Sequence, residues 1–375
     1  MLTDGLPLLD QHCHGVRDAD LDRAGFELLL TEADRVVPGR SPFESMLGVT
    51  LRRLCAPVLD LPRHAPAEDY LARRAALGWR EVSRRLLRAS GTTTWLVDTG
   101  LNTPPLTGVA ELADLGGGHA REVVRLEAVA EQVAQRGVSA ACLAAEVERE
   151  IRSQAANAIG LKSVVAYRCG LRMPDRRPGS GQVDSRAAAW LSGPDRRLRD
   201  PVLLAWLVHL GASIGAELGL PLQLHTGFGD PDLRLHEADP LLLTDFIRST
   251  VDTGPTLVLL HCWPFHRNAA YLAHAYPHVL VDLGLTIPHV GAQAAAVLAE
   301  TLEIAPWPAV CFSSDGFGLP ELHHLGALLW RERFGRLIDR WLGEDVLAAT
   351  DAERLVRGIA GGNAARAYGL GGEWP

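Results

Sequence analysis

The feature that most constrains this fold is a series of eight short, apolar, β-rich segments separated by helical or loop stretches. Continuous apolar runs of this length, bounded by Gly and Pro, are typical of fully buried parallel strands. Strands that alternate with helices predict a parallel sheet, and eight such units predict an α/β fold of the (β/α)8 TIM-barrel type. The eight segments are Leu6–Asp10, Thr93–Asp98, Val123–Ala130, Ile159–Tyr167, Leu220–His225, Thr256–His261, His278–Leu283 and Ala309–Asp315.

Helix-like stretches lie between these segments, and two of the intervals are long. Barrels of this type reach about 250 residues or more as one unit, so we expect residues 1–375 to form a single domain. We predict that residues 17–90 form a helical insertion after the first strand. We predict that residues 171–200 form a long loop after the fourth strand. Long loops in compact domains are often functional, so we expect this one to belong to the active site. The expected helices are Pro201–Leu218, Leu241–Val251, His266–Ala275 and Gly291–Ile304.

The composition argues against several classes of partner. A formal charge of −8 and a pI near 6.0 argue against a surface for nucleic acid or anionic membranes. The apolar run Pro201–Leu210 is shorter than the roughly 20 residues that a membrane helix needs, and the N-terminal residues lack the basic and apolar regions of a signal peptide. Six cysteines without a C-x-x-C pair favour reduced thiols. We expect a cytoplasmic homo-oligomer that acts on a small molecule.

Residues that can hold a metal fall at the carboxyl ends of the predicted strands, where the active site of a parallel barrel lies. His-x-His at a strand end directs both imidazoles to one side, so that they can chelate one ion, while Cys13 between them points away. Imidazole and carboxylate suit Zn, Fe, Mn or Ni. His-x-His alone can arise by chance, and an aspartate can simply belong to a turn, so the prediction depends on the whole set: His12, His14, Lys162, His225, His261 and Asp315.

Lys162 is unusual because it is the single lysine among 37 basic residues, the other 36 being arginine. Lysine can lose its proton and become a nucleophile or a carbamate, whereas arginine cannot. The residue lies inside an apolar predicted strand, so burial would favour its neutral amine. The alternative is an ordinary lysine whose aliphatic part is buried and whose charged amine reaches solvent.

Five longer stretches carry a family resemblance in addition to these single residues. Together with the strand-end set, they resemble the amidohydrolase superfamily of metal-dependent hydrolases, and within it the amidohydrolase-related (amidohydrolase 2) family and its FluG-like group. In that group a similar domain is often fused to a glutamine-synthetase-like domain, which has no counterpart in these residues. The stretches are LKSVVAYRCGL, LPLQLHTGFGDPDLRL, LVLLHCWPFHRNAAYLAHAYPHVLVDLG, FSSDGFGLPE and GGNAARAYGL.

The resemblance implies a role for each strand-end residue. His12, His14 and His225 match metal ligands, and Asp315 matches the aspartate that touches the metal and takes a proton from water. His261 matches a second-metal ligand or a polarising acid–base residue. Lys162 matches a lysine that is carbamylated and bridges two ions in two-metal members. One-metal members are usual in the amidohydrolase 2 branch, so the resemblance implies one or two ions, zinc first among them, and a Lys162 that is either a bridging carbamate or an active-site cation.

Four further residues are candidates for contact with substrate. Arg168 could clamp a carboxylate with two hydrogen bonds, and Gln223 shares a strand face with His225. Asp98 ends the second strand, and Glu321 follows Asp315 closely enough to line the mouth of a pocket. For Arg168 and Glu321, a solvated side chain is the alternative.

The implied activity is hydrolysis of an amide-type C–N bond, γ-glutamyl amides included, or of a lactone, in a small carboxylated molecule. Water activated by the metal would give its proton to Asp315, which would pass it to the leaving nitrogen, while His261 polarises the carbonyl. Non-oxidative decarboxylation of an unsaturated or aromatic carboxylate is the alternative within enzymes. A metal-binding scaffold without turnover is the alternative outside them.

Overall fold

Seven strands of the chain form one curled, parallel sheet. The computed structural model describes residues 1–101, 104–372 and 374. Within this part of the chain, every strand pairs in parallel with its neighbours in sequence, in the order β1-β2-β3-β4-β5-β6-β7. Parallel pairing requires crossover connections, and here helices supply them, so the fold is α/β. The strands are β1 Leu8–Cys13, β2 Thr92–Asp98, β3 His119–Arg125, β4 Gly160–Ser163, β5 Leu222–Thr226, β6 Leu257–His261 and β7 Val279–Val281.

Helices separate and follow these strands. The α-helices are α1 Arg23–Leu28, α2 Met46–Leu54, α3 Ala67–Leu77, α4 Trp79–Ala89, α5 Val109–Gly116, α6 Leu126–Gln135, α7 Ala140–Ala155, α8 Ala166–Cys169, α9 Ser180–Ser192, α10 Pro201–Leu218, α11 Thr244–Thr250, α12 His266–Ala275, α13 Thr286–Val290, α14 Ala294–Thr301, α15 Pro320–Leu329, α16 Gly335–Gly343, α17 Ala349–Arg357 and α18 Asn363–Ala367. Wider π-helical turns, Trp330–Phe334 and Gly358–Gly362, join α15 to α16 and α17 to α18.

The eighth predicted strand is extended chain rather than a regular strand. Val310 forms a parallel bridge with Val281 of β7, and the Gln11 backbone N–H of β1 donates to Phe312 O at 3.2 Å. The Asp315 N–H donates to His12 O at 3.0 Å. This segment therefore makes backbone hydrogen bonds with both outer strands of the sheet.

Two predicted strands were too long at their carboxyl ends. The third was predicted as Val123–Ala130, but β3 ends at Arg125 and α6 begins at Leu126. Residues 126, 129, 130 and 133 are all buried, and that spacing belongs to one helix face. The fourth was predicted to reach Tyr167, but β4 ends at Ser163 and the turn of α8 follows.

The two long intervals both contain helices. Residues 17–90 include α1 to α4, and a separate apolar cluster joins these helices to α15 through residues such as Phe26, Leu51 and Leu322. The prediction of a loop over residues 171–200 was wrong in part, because α9 occupies thirteen of these residues. Val183 and Ala187, one helical turn apart, are its buried residues, so a single short apolar face attaches α9 to the core.

Helix α10 is the most apolar helix of the fold and matches its predicted bounds. The Asp200 side chain accepts from the N–H groups of Val202 and Leu203, and Gly219 ends the helix in a left-handed conformation. By length and composition alone it is the one helix among the described residues that could cross a membrane. Since 61% of it is buried inside the fold, its apolar surface is that of a core helix.

Candidate metal centre

The strand-end residues converge on one edge of the sheet. His12 lies in β1 and His14 just beyond it, Lys162 lies in β4, and His225 lies in β5. The register pairs Thr226 with His261, the last residue of β6. All of these side chains are at least 90% buried, so the predicted set is enclosed by protein rather than spread along a surface.

Asp315 lies at the centre of this cluster. Its Oδ1 is 3.2 Å from His12 Nε2 and 3.6 Å from His14 Nε2, and its Oδ2 is 3.4 Å from His261 Nδ1. The rings of His225 and His261 are 4.5 Å apart between centroids. The Asp315 carboxylate therefore lies close to imidazoles from the ends of two different strands, β1 and β6.

The unpartnered atoms of the cluster fit a metal ion. His225 Nε2, His261 Nδ1 and Asp315 Oδ1 are buried without a hydrogen-bond partner among the described residues. Ligand atoms of His12, His261 and Asp315 all lie within 4.8 Å of one another. Buried polar atoms are normally paired, so a cation would explain why these nitrogen and oxygen atoms are left without partners.

Burial keeps the imidazoles in the neutral form that binds metals. It lowers the pKa of His12 to about 3 and that of His14 to about 4, and it holds the pKa values of His225 and His261 well below the ordinary range. Burial raises the pKa of Asp315, against the opposing effect of the His14 and Lys162 charges. A bound cation would favour its carboxylate form.

Lys162 lies directly against one of the predicted ligands. Its Nζ is 3.3 Å from His12 Nε2, and the side chain is 1% exposed. Burial lowers the pKa of Lys162 to about 8, although the charges of Asp98 and Asp315 oppose this. A larger fraction of the amine is therefore neutral near physiological pH than in an exposed lysine.

A buried hydrogen-bond network beneath the cluster fixes His12. Its Nδ1 is 2.8 Å from Gln223 Oε1, an acceptor, so Nδ1 carries the proton and Nε2 faces Asp315 and Lys162 with its lone pair. Gln223 Nε2 in turn donates at 2.8 Å to Gln11 O and to Tyr368 Oη. Gln223, predicted as a substrate contact, is therefore a positioning residue for a metal ligand in this structure.

Two aspartates that the sequence reasoning did not single out hold the backbone of the site. His261 and Asp315 have positive φ values of 69° and 50°, which are unfavourable for residues with side chains. Asp282 Oδ1 accepts from His261 N at 2.7 Å, and Asp10 Oδ1 accepts from Ser314 N at 2.8 Å. These hydrogen bonds oppose relaxation of the strained residues. The sequence signal that could have identified Asp282 is a carboxylate within an apolar run, in the segment VDLG.

Asp98 is close to the cluster but is already paired. Its carboxylate binds the Arg125 guanidinium, with Nη2 to Oδ2 at 2.7 Å, and its backbone O accepts from His14 Nδ1 at 3.0 Å. Burial would raise its pKa, but the Arg125 charge and the neighbouring His14 and Lys162 outweigh that effect and lower it. Arg125, at the end of β3, was missed because the third predicted strand ran past it.

The structure does not bring Arg168 and Glu321 into the cluster, which corrects two predicted substrate contacts. Arg168 belongs to the turn of α8, and its Nη1 donates to Glu131 at 2.8 Å. Glu321 is fully buried and accepts from Arg74 Nε at 2.8 Å and from Tyr70 Oη at 3.0 Å. Both side chains make structural ion pairs away from Asp315.

Aromatic residues border the cluster on its outer side. The Tyr167 ring packs 4.4 Å from that of His225, and Phe317 makes an edge contact with His14 at 5.7 Å. Phe228 contacts both Trp263 and His289. These five aromatic residues are partly exposed, whereas the metal set is buried, so they are suited to contact a substrate above the cluster.

Comparison with known proteins identifies a family and a similar solved structure. The family model described as Amidohydrolase matches residues 58–370. Protein fluG of Emericella nidulans is 33% identical over 230 residues, which cover 58% of this chain and 26% of that protein. The chain thus spans about a quarter of the length of this curated relative.

Among solved structures, a candidate metal-dependent hydrolase from Lactobacillus casei ATCC 334 superposes with a TM-score of 0.87 at 25% identity, covering 100% of this chain and 98% of that chain. A glucuronate isomerase from Caulobacter crescentus superposes with a TM-score of 0.67 at 17% identity, covering 98% and 92%. The second likeness concerns the fold alone.

Proposed function

The chain belongs to the amidohydrolase family, whose model matches residues 58–370, and from that premise we propose that it is a metal-dependent hydrolase of an amide-type C–N bond or a lactone. The observation that carries the proposal is the convergence of imidazoles on Asp315, with buried atoms that have no hydrogen-bond partner among the described residues.

We also propose that residues 309–315 complete an eighth barrel position and that residues 17–90 are an insertion in that barrel.

His12, His14, His225, His261 and Asp315 would hold the cation. Nitrogen and carboxylate ligands fit zinc best, with Mn, Fe and Ni also compatible. A cation held by these residues would lower the pKa of a water molecule to near 7 and would polarise a carbonyl oxygen.

Asp315 is the proposed general base. Its carboxylate is held by the strained backbone at φ 50° and is placed between imidazoles of β1 and β6, so it can take a proton from water on one side. The same oxygen can then deliver that proton to a leaving nitrogen or alkoxide, as general acid–base catalysis requires. His261, whose Nδ1 is 3.4 Å from the Asp315 carboxylate, would polarise the carbonyl group of the substrate.

Lys162 is compatible with two forms that have different readouts. As a carbamate it would bridge two cations and would appear as an added mass of CO2 on the intact chain. As an amine, 3.3 Å from His12, it would supply charge beside Asp315 and leave a single cation. Burial favours the carbamate, because it lowers the pKa and thereby increases the fraction of neutral amine that can react with CO2, while a pKa of about 8 leaves most of the amine charged at pH 7.

The substrate proposal changes with the position of Arg168. The carboxylate clamp expected from Arg168 is engaged with Glu131, so a carboxylated substrate would have to be recognised by other groups. The decarboxylase alternative would likewise need another group than Arg168 to hold its carboxylate, and product analysis separates it from hydrolysis. The partly exposed aromatic residues around the cluster would instead contact an apolar part of a small amide or lactone.

We further propose a cytoplasmic location and a homo-oligomeric state. The six cysteines are free thiols in the structure, and four of them are buried. Reduced cysteines of this kind are usual in the cytoplasm.

The test is turnover by zinc- or manganese-loaded protein on γ-glutamyl amides, N-acyl amino acids and lactones, with product analysis. Release of an amine and an acid, or opening of a lactone, supports the proposal, and the Asp315→Asn variant should reduce kcat by about 10²- to 10⁴-fold. Release of CO2 instead of these products would overturn it. Equal turnover by wild-type and Asp315→Asn protein would remove Asp315 from the mechanism.

A further inference from the structure

A second group of metal-type ligands lies where β1 packs against α15. We propose that Asp10, Cys13 and His323 bind a structural zinc-type divalent cation, separate from the catalytic centre. An oxygen of Asp10, the Cys13 sulfur and a ring nitrogen of His323 all lie within 4.8 Å of one another. The three residues are at most 1% exposed, so such a cation would be enclosed between β1 and α15.

The first independent observation is that His323 has no hydrogen-bond partner. Both of its ring nitrogens are buried and unpartnered among the described residues, and Nδ1 points towards Asp10 Oδ2 at 4.0 Å. A buried polar atom without a partner costs about 1–3 kcal/mol, and a neutral imidazole always carries one N–H donor and one acceptor. A cation would use the acceptor nitrogen that the protein leaves free.

The second observation is a buried carboxylate without a compensating cation. Asp10 accepts from the backbone N–H and the hydroxyl of Ser314, but within residues 1–101, 104–372 and 374 no Arg or Lys forms an ion pair with it. The Cys13 thiol donates to Leu96 O at 3.6 Å, a hydrogen bond that a bound thiolate would give up. A divalent cation would balance one carboxylate and one thiolate, since a coordinating thiol is deprotonated by the metal.

The donor types and their spacing fit zinc. Zinc binds sulfur at about 2.3 Å and nitrogen or oxygen at about 2.0–2.2 Å with tetrahedral geometry, which places ligand atoms about 3.3–3.7 Å apart. The 4.0 Å separation of His323 Nδ1 from Asp10 Oδ2 would have to shorten by a few tenths of an ångström, and separations to the Cys13 sulfur of up to 4.8 Å by up to about 1 Å. Water or the Ser314 hydroxyl could supply the fourth ligand.

This site would connect the two chain segments that carry the catalytic set. Cys13 lies between His12 and His14 on β1, while Asp10 holds Ser314, the residue before Asp315. A cation here would therefore fix β1, α15 and the turn around Asp315 to one another. Its role would be structural, because its three ligands are distinct from the residues of the catalytic set.

Sulfur ligation distinguishes this site from the catalytic centre, which contains no cysteine ligand. X-ray absorption at the zinc edge of wild-type protein should show a Zn–S distance of about 2.3 Å, and Co(II)-loaded protein should show a thiolate-to-metal charge-transfer band in the near ultraviolet. Zinc bound only by nitrogen and oxygen would overturn the proposal, and this measurement needs no variant.

Variants then assign the sulfur. The cobalt band should vanish in Cys13→Ser and His323→Gln, persist in Cys55→Ser, a control at another fully buried cysteine, and persist in His225→Ala, which removes a catalytic ligand. A band that survives Cys13→Ser would overturn the proposal. Loss of metal from the catalytic ligands alone would leave the sulfur signal in place, so failure of the proposed function and failure of this site give different results.

Discussion

Removing the Gln223 side-chain amide should weaken both the fold and metal binding, and the structure sets the size of each effect. Gln223→Leu deletes three hydrogen bonds of 2.8 Å, to His12 Nδ1, Gln11 O and Tyr368 Oη. It leaves the His12 N–H and the Gln11 carbonyl buried without partners. At about 1–3 kcal/mol for each such group, the free energy of unfolding should fall by about 2–6 kcal/mol in metal-free protein.

The effect on metal affinity has a separate cause. Gln223 fixes the His12 tautomer in which Nε2 is free to bind the ion, and loss of such an orienting partner typically costs 10- to 100-fold in metal affinity. Zinc affinity measured by competition with a chelator should therefore fall by about that factor, while chemical denaturation reports the change in stability. Gln154→Leu, at a partly exposed position on α7 where the amide binds Glu150, is the matched control.

The reasoning would be refuted by a Gln223→Leu protein with wild-type zinc affinity, because His12 orientation would then not depend on this amide. Gln223→Glu separates the two effects. Its carboxylate can still accept from His12 Nδ1 but cannot donate to Gln11 or Tyr368, so metal affinity should be retained better than stability.

Four further predictions concern single side chains. First, 15N-labelled lysine should give one side-chain resonance, from Lys162, that titrates near pH 8 in metal-free protein. Because this pKa lies below the unfolded value of 10.5, the contribution of Lys162 to the free energy of unfolding should rise between pH 8 and pH 10.5. A titration midpoint near 10.5 would contradict the burial of Lys162. Second, Lys162→Arg keeps the charge and prevents a carbamate, so unchanged metal content and turnover would exclude a bridging role. Third, Asp315→Asn should reduce kcat by about 10²- to 10⁴-fold in protein shown to retain its metal, and a smaller loss would point to another base. In contrast, Arg168→Gln should leave KM and kcat unchanged, since Arg168 pairs with Glu131, and a raised KM would restore the substrate clamp.

The sequence predicted the strands and their order better than the directions of their flanking side chains. Apolar runs that end in His225 and His261 identified both strand ends, because burial on both faces leaves a continuous apolar signal. The signal is ambiguous where a strand runs directly into a helix. At β3 the apolar run continues into α6, which hid Arg125 at the boundary.

The same limit explains the misplaced substrate contacts. Arg168 follows Lys162 by six residues, but the turn of α8 begins between them and directs the guanidinium towards Glu131. Distance along the chain therefore gave no information about its direction. Glu321 follows Asp315 closely, yet it packs against Arg74 and Tyr70, which belong to a helix far away in sequence.

The partners that hold the ligands could not be predicted from local patterns. Gln223, Asp282 and Tyr368 come from β5, the end of β7 and the C-terminal helix, and their hydrogen bonds depend on the packing of the whole sheet. A single sequence reveals them only as polar residues within apolar surroundings, as Asp282 is in VDLG. The metal ligands themselves were predictable because they are placed by one rule, the convergence of strand ends.

The most direct test of the account is an anomalous diffraction map of crystals grown with zinc and measured at the zinc edge. The account predicts a peak bounded by His12, His14, His225, His261 and Asp315, within about 2.0–2.2 Å of the ligand atoms that bind it. A well-ordered cluster with no peak among these residues at saturating zinc would contradict it.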